Sequence, residues 1–98
     1  MAEEIEMYTM IVKMRLDPAL LDEVNRHFRE DVAGWAKAQP GFVTGSWLRS
    51  EDGTRGMGVV TFASAEAAAG AAVGPRSAPP GPAWSIESVE IFDQVQQA

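Results

Sequence analysis

The chain contains one histidine, His27, and two acidic residues, Glu23 and Asp31, lie four positions before and after it. Histidine is the side chain that ordinarily titrates nearest to neutral pH, so it is the natural proton acceptor or donor of this sequence. Residues four apart share one face of a helix, where these three would form a row of carboxylate, imidazole and carboxylate. Two interpretations are open: a catalytic base or ligand, or an exposed helix residue with a weak acidic partner.

Other chemistry is restricted by what the sequence lacks. There is no cysteine, which excludes disulfides, thiolate nucleophiles and thiolate-bound metals. A metal site needs about three converging ligands, and nothing outside the helix of His27 visibly supplies them. No flavin or nicotinamide motif is recognisable either. The sequence therefore predicts no metal site and no bound cofactor.

Charge and composition narrow the set of partners. The formal net charge is −6 and the isoelectric point is about 4.6. An acidic protein lacks the basic surface that nucleic acids and anionic membranes attract, so neither is an expected partner. The segment Met1–Glu6 is acidic where a signal peptide would be basic, and no apolar run approaches membrane-spanning length. We expect a cytoplasmic protein.

Apolar residues supply the second candidate site. Methionines and aromatic rings recur in apolar pockets, and the alanine-rich segment after Ser64 would leave room beneath it. The alternative is that these residues simply fill a core. The residues predicted to line a space between sheet and helices are Met10, Met14, Phe28, Val60, Phe62 and Trp84.

The first half of the chain predicts a strand, a helix and a second strand. Tyr8 to Leu16 alternates as a strand does. Asp17-Pro18 is a typical helix start, and the following helix carries one apolar stripe. Pro40-Gly41 ends that helix and opens a strand over roughly residues 41–50. The stripe consists of Leu21, Val24, Phe28, Val32 and Trp35.

The second half predicts a hairpin, a short helix and a last strand. Asp52-Gly53 is typical of a turn, and it leads to a strand over roughly residues 55–63. Ser64 caps a helix from Ala65 to about Val73, which Gly74-Pro75 should end. Residues 75–83 contain four prolines and predict a stiff loop. The last strand runs over roughly residues 84–95, and its apolar pattern changes phase in a way that indicates a bulge.

The resulting order, β-α-β-β-α-β, predicts an α+β protein of the ferredoxin-like fold. Right-handed crossovers and one hairpin give a four-stranded antiparallel sheet with two helices on one face. The chain is long enough for one domain, which we place at residues 7–98. Residues 1–6 are expected to be a disordered acidic tail.

Two local motifs carry a family resemblance. Pro40-Gly41-Phe42 with Gly45, together with Val60–Ser64 followed by Glu66-Ala67, resembles the dimeric α+β barrel superfamily, and within it the antibiotic-biosynthesis-monooxygenase-like (ABM-like) group. The resemblance covers roughly residues 7–95. It implies that two copies pack sheet against sheet as a homodimer, and that each has a pocket between its sheet and its helices.

The resemblance implies several activities, since the group includes cofactor-free oxygenases, haem-degrading enzymes and proteins of no known activity. The haem-degrading members use an asparagine on the first strand, a tryptophan just before the second helix and a histidine in that helix. Here the only asparagine is Asn25, Phe62 replaces the tryptophan, and the second helix contains no histidine. Haem degradation is therefore not expected.

Trp47 is the residue for which the sequence predicts a partner rather than a ligand. Regular alternation from Phe42 puts Trp47 on the opposite face of its strand. If Phe42 faces the helices, Trp47 faces a second sheet, where a large aromatic would anchor a dimer interface. A substrate contact is the alternative.

Two hypotheses of function follow. In the first, a small apolar or aromatic molecule binds between sheet and helices and reacts with oxygen without a cofactor, with His27 as the base. In the second, a dimer holds a ligand or partner without turnover. A closed pocket of several hundred cubic ångström reached by a polar group would support binding or chemistry, whereas a filled core would leave only an interaction protein.

Overall fold

The computed structural model describes residues 6–97 and confirms the predicted order of elements. The predicted acidic tail thus lies outside the described residues except for Glu6. A short 3-10 turn, Pro18–Leu20, and a π-helical segment, His27–Val32, accompany the regular elements. These are β1 (Tyr8–Leu16), α1 (Leu21–Arg26), α2 (Ala33–Lys37), β2 (Phe42–Arg49), β3 (Arg55–Phe62), α3 (Ala65–Ser77) and β4 (Trp84–Asp93).

The four strands form one antiparallel sheet in the order β2-β3-β1-β4. β1 lies in the interior, where Val12 is paired with Gly58 of β3 on one side and with Val89 of β4 on the other. Residues of both helical regions pack with the alternate buried side chains of the strands in one core. This is the ferredoxin-like arrangement, and the predicted fold is confirmed.

The first helical region begins as predicted but is not a regular α-helix. Asp17 accepts a hydrogen bond from the backbone N–H of Ala19 (2.9 Å), and Pro18 follows it at the first helical position. Between α1 and α2 the chain widens into six residues of π-helix. Single π turns are rare and are often found at functional sites. The regular apolar stripe gave no indication of this segment.

The second long helix, α3, extends past the predicted end. Ser64 caps it, accepting from the N–H of Ala67 (3.0 Å), but the helix continues through Gly74 and Pro75 to Ser77. A proline disfavours helical backbone at the residue before it, because the proline ring clashes with the Cβ of that residue. Gly74 has no Cβ, so Pro75 can follow it within the helix. The Ser77 hydroxyl donates to the carbonyl of Val73 (2.8 Å) and supports the last turn.

Two strands contain bulges, and only one was predicted. In β4 the pairing with β1 skips Glu87, since Lys13 is opposite Ser88 and Met14 is opposite Ile86. This confirms the irregularity expected between Ile86 and Val89. In β2 the pairing with β3 skips Val43, and the sequence gave no sign of that second bulge.

The core lies between the sheet and the helices. Phe62, Met10, Val24 and Val60 are its largest fully buried side chains, and the helices add small residues such as Ala36 and Ala71. Phe42 packs against this core with its ring 6.5 Å from that of Phe62, edge to face, as its predicted orientation required. Within residues 6–97, no helix is both long enough and apolar enough to cross a membrane.

Candidate functional site

A cavity of about 350 Å³ lies between the sheet and the helices. Its sheet side is formed by Met10, Val12 and Met14 of β1 with Gly58 and Val60 of β3. Its other walls come from the π-helical segment, α2, the end of α3 and the start of β4. Regular strand alternation supplies the first set, and the short side chains of α3 leave the space above them open. The remaining lining residues are His27, Asp31, Val32, Trp35, Trp47, Gly74, Pro75, Ala78, Trp84 and Ile86.

All three tryptophans of the chain, Trp35, Trp47 and Trp84, line this cavity. They come from three different elements, α2, β2 and β4. Among the residues that the structure describes, no protein acceptor takes a hydrogen bond from any of the three indole N–H groups, and no buried polar side-chain atom lacks a partner. The indoles therefore offer ring surface and free donors to an occupant of the cavity or to water.

Each indole rests against a glycine. A methyl group added to Gly58 would lie 3.1 Å from Nε1 of Trp47, one added to Gly81 would lie 3.0 Å from Nε1 of Trp84, and one added to Gly74 would lie 3.1 Å from a ring carbon of Trp35. These separations are too short for an ordinary carbon contact. The glycines thus provide the room in which the three rings stand. A glycine inside a strand is a recognised sign of such close approach. Gly58 is one such signal, and Gly45, where an added methyl group would lie 3.0 Å from a ring carbon of Trp47, is another.

The prediction that Trp47 and Phe42 face opposite sides of the sheet is wrong. The bulge at Val43 adds one residue to β2, so positions 42, 45 and 47 share the helix-facing side. A single inserted residue reverses the alternation that follows it. Trp47 accordingly packs against the core and lines the cavity, which removes the geometric reason for a role as dimer anchor.

His27 lies at the edge of the cavity and contacts two other lining residues. Its Nδ1 is 3.0 Å from a carboxylate oxygen of Asp31, and its ring stacks on the indole of Trp84 with centroids 4.6 Å apart and planes inclined by 13°. The His27 side chain is only 22% exposed. It is therefore more enclosed than a surface residue with a weak partner would be. Glu23, the other predicted partner, makes no hydrogen bond or ion pair with it in the described structure.

His27 and Asp31 are the only titratable side chains that line the cavity among residues 6–97. Arg26 lies outside it, with Nη1 3.8 Å from the same oxygen of Asp31 and 3.4 Å from Glu30. The one tyrosine, Tyr8, lies elsewhere, and the negative charges of Asp93 and then Glu6 raise its pKa. In the described part of the chain, no three His, Asp or Glu side chains converge as metal ligands.

Four of the six residues predicted to bind substrate line the cavity, namely Met10, Met14, Val60 and Trp84. Phe62 is fully buried in the core behind it, because the tight packing around its ring leaves no free surface. Phe28 is half-buried and packs against the core without reaching the cavity. Asp31, Trp35 and Gly58 were not among the predicted binding residues. Asp31 was predicted only as a partner of His27 and Trp35 only as part of the apolar stripe, because the local pattern does not show where the helix lies on the sheet.

A second groove of similar volume, about 360 Å³, lies at the hairpin end of the sheet. It is lined by the cationic side chains Lys13, Arg49 and Arg55, with Glu87 as the one acidic group. Arg49 is already held by a hydrogen bond to Asn25 (2.8 Å). Because no aromatic side chain and no histidine among the described residues lines this groove, the tryptophan-lined cavity is the better candidate site.

No protein-family model and no curated protein sequence matches the chain, but solved structures do. The haem degrader MhuD of Mycobacterium tuberculosis, solved with two haems in its active site, superposes with a TM-score of 0.72 at 22% identity, over 93% of this chain and 98% of its own.

Two oxygenases of Streptomyces are also similar. SnoaB of Streptomyces nogalater, a cofactor-independent oxygenase, gives a TM-score of 0.64 at 20% identity over 96% of this chain and 97% of its own. A monooxygenase from the gene ActVA-Orf6 of Streptomyces coelicolor, solved with Nanaomycin D, gives a TM-score of 0.61 at 21% identity over 93% of this chain and 88% of its own.

These likenesses concern the fold, because identities near 20% do not carry chemistry from one protein to another. They extend over almost the whole length of both chains in each comparison. The sequence-based prediction of the ABM-like group is confirmed at this level: the chain has the ferredoxin-like fold of the antibiotic-biosynthesis-monooxygenase-like proteins.

Proposed function

We propose that the protein binds a small, flat aromatic molecule in the tryptophan-lined cavity and oxidises it with molecular oxygen, without a bound cofactor. The observation that carries the proposal is that all three tryptophans of the chain surround one apolar cavity, in which His27 and Asp31 are the titratable lining residues among those that the structure describes. In such a reaction a phenol with a hydrogen on the carbon para to its hydroxyl becomes a quinone. One oxygen atom of O₂ becomes the new carbonyl oxygen, and the other leaves as water with the hydrogen of that carbon and the hydrogen of the hydroxyl.

The dimensions and chemistry of the cavity favour this class of ligand. About 350 Å³ is at the lower end of the range for small-molecule sites, so the occupant would be a compact molecule. Aromatic rings stack on indoles with a gain of about 0.5–1.5 kcal/mol beyond area burial. Methionine side chains on the opposite wall adapt to ligands of different outline. A flat ring system with few polar groups satisfies all of these walls.

The structurally similar proteins include both haem degraders and oxygenases, and the residues of this chain favour the oxygenases. SnoaB is described as a cofactor-independent oxygenase, and the ActVA-Orf6 product was solved with Nanaomycin D. MhuD holds haem. This chain, however, has no asparagine on its first strand, has Phe62 in place of the tryptophan before the second helix, and has no histidine in that helix. The cavity side of α3 presents Gly74 and Pro75, neither of which can bind iron.

The second candidate is a protein that binds the same kind of molecule without turnover. The cavity supports both candidates, since binding needs only the apolar walls. Oxygen consumption separates them: an enzyme consumes oxygen in proportion to the quinol or polyphenol supplied, whereas a binder shows saturable binding and no uptake.

Tryptophan fluorescence provides the first test, because every indole of the protein is in the proposed site. A panel of quinols and polyphenols should quench it saturably, and an oxygen electrode should record uptake with the members that bind. Trp84→Leu removes one stacking wall and should weaken binding about tenfold, or about 1.4 kcal/mol. Haemin belongs in the panel, and preferential binding with ring opening would contradict the proposal.

Phe92→Leu is the matched control for that variant. Phe92 lies on the same strand, β4, but its side chain is 47% exposed and it does not line the cavity. It should bind the panel as the unmodified protein does. Equal losses of affinity in both variants would point to a general effect on β4 and would refute the assignment of the cavity.

We further propose that the protein acts as a homodimer in the cytoplasm, with the sheet face opposite the helices as the interface. The support is the presence of apolar residues on that face, and the sedimentation mass of the protein tests the dimer.

A further inference from the structure

We infer that His27 and Asp31 act together as a proton-accepting pair that ionises a hydroxyl group on the bound aromatic molecule. The inference rests on the proposed function, since it concerns the same cavity. It assigns a role in positioning to Asp31 and fixes which nitrogen of His27 receives the proton.

The hydrogen bond between the two residues determines the tautomer of His27. A carboxylate can only accept hydrogen bonds, so the Nδ1 that lies 3.0 Å from Asp31 carries the hydrogen. In the neutral ring Nε2 is then the acceptor. Within the described structure no protein group donates to Nε2. It is therefore the nitrogen available to a molecule in the cavity that His27 lines.

The π-helical segment brings the pair to the cavity. It begins at His27 and contains Asp31, and both line the cavity together with Val32. His27 and Asp31 are four residues apart on this segment, and Nδ1 of His27 lies 3.0 Å from the Asp31 carboxylate. π-Helical turns are often found at functional sites.

The surroundings of the imidazole stabilise the charge that it would acquire. Asp31 balances the positive charge from one side, and the indole of Trp84 lies parallel to the ring at 4.6 Å, close enough for a cation–π interaction. The negative oxygen left on the ligand would face the new imidazolium across an apolar cavity. Opposite charges attract more strongly there than in water.

Few other charges act on the pair. Arg26 lies 3.8 Å from the Asp31 oxygen on the outer side, where it shares its guanidinium with Glu30. From the elements packed against His27, the residues that line the cavity are uncharged: Trp84 and Ile86 of β4, and Gly74 and Pro75 of α3. The proton equilibrium at the site is thus set mainly by the pair and the ligand.

The step itself is a simple proton transfer. The O–H bond of the ligand breaks, the proton moves to Nε2 of His27, and both electrons of the bond remain on the oxygen. The resulting phenolate is more electron-rich than the phenol. For a substrate of the proposed oxidation, this raises its reactivity towards O₂, and no oxidant beyond O₂ is needed.

A coloured phenol tests the inference separately from catalysis. 4-Nitrophenol absorbs at different wavelengths as phenol and as phenolate, so the apparent pKa of the bound probe can be read by titration at protein concentrations that bind most of it. Binding to the unmodified protein should lower that apparent pKa by about 1 unit, a tenfold change in the ionisation constant. Tryptophan quenching measures binding in the same samples.

Asp31→Asn and His27→Gln should keep binding within a few-fold but remove the shift. Asp22→Asn is the control for Asp31→Asn. It removes the same negative charge, but Asp22 is an exposed residue of α1 that does not line the cavity. Asp22→Asn should retain the full shift. In addition, ¹⁵N chemical shifts of His27 should report hydrogen on Nδ1 in the unmodified protein and a mixture of tautomers in Asp31→Asn.

The outcomes are distinguishable. Quenching without a change in the probe's apparent pKa, or a shift that survives in His27→Gln, would overturn the pair and leave the binding site intact. Absence of quenching by 4-nitrophenol and by the whole aromatic panel would overturn the proposed site and the pair with it.

Discussion

At the scale of single residues, the position of Trp47 depends on one extra residue in β2. The types of residue were enough to predict that Met10, Met14, Val60 and Trp84 line a space between sheet and helices, and these four line the cavity. They were not enough for Trp47, because a bulge at Val43 has no local sequence signature and reverses the face of all that follows. An alternating pattern of apolar and polar residues indicates the two-residue period of a strand, but it does not reveal a single inserted residue.

A second residue-scale feature is the turn around Asp52, where the sequence prediction was sufficient. Gly53 has a φ of 74°, the left-handed conformation that an Asp-Gly turn anticipates. One oxygen of Asp52 accepts from the Thr54 hydroxyl (2.7 Å), the Thr54 backbone N–H (3.1 Å) and the Ser50 hydroxyl (2.8 Å). These bonds, led by the Thr54 side chain, lower the pKa of Asp52 from 3.8 to about 2.

This shift predicts a pH dependence of stability. The folded pKa of Asp52 lies below its unfolded value, so its contribution is fully present above about pH 4 and is lost as the pH falls to about 2. Asp52→Asn should therefore lower the thermal midpoint at pH 7 and show a shallower decline between pH 4 and 2. Glu51→Gln, in the same turn, is the control. Parallel acid transitions for Asp52→Asn and the unmodified protein would contradict the prediction.

At the scale of elements, α3 contains two glycines with different surroundings. An alanine methyl group at Gly70 would have no heavy atom within 4 Å, whereas one at Gly74 would lie 3.1 Å from the Trp35 ring. Both changes gain about 0.5–1 kcal/mol from the restricted backbone of alanine in a helix. Gly70→Ala should show that gain in chemical denaturation, and Gly74→Ala should lose most or all of it by displacing Trp35 and by placing a Cβ directly before Pro75.

The two variants control for each other, since the helix and the substitution are the same. Gly74→Ala should also weaken ligand quenching because Trp35 lines the cavity, and Gly70→Ala should leave it unchanged. An equal gain in stability in both, with unchanged quenching, would mean that Trp35 yields without cost and that Gly74 is not needed for the cavity wall.

The same helix illustrates how far the elements could be predicted. Caps and turns were read correctly at Asp17, Ser64 and Asp52-Gly53, because each side chain satisfies backbone groups within a few residues. The end of α3 was wrong, because Gly74 and Ser77 together accommodate Pro75 in a way that the general rule for proline does not foresee. The π-helical segment was missed since it depends on packing against the sheet.

At the scale of the whole molecule, the sheet face opposite the helices is left uncovered by the single chain. Its centre contains Ile11 paired with Val59, and the neighbouring register pairs Met57 with Leu48. Leu48 is 51% exposed and Phe92 is 47% exposed. A small domain buries a limited share of its surface, so a second copy would cover apolar residues that the monomer leaves in water.

Leu48→Lys tests this arrangement without threatening the fold, because half of the Leu48 side chain is exposed in the single chain. We expect the unmodified protein to sediment at about twice 10.6 kDa at micromolar concentration, and Leu48→Lys to shift towards one chain because two lysines would have to be desolvated at the interface.

Val73→Lys is the control, since Val73 is 65% exposed on α3, away from the sheet. Trp47→Leu should not alter the mass, because Trp47 lies on the cavity side. An unmodified protein that sediments as one chain would refute the dimer, and dissociation by Val73→Lys would place the interface on the helices.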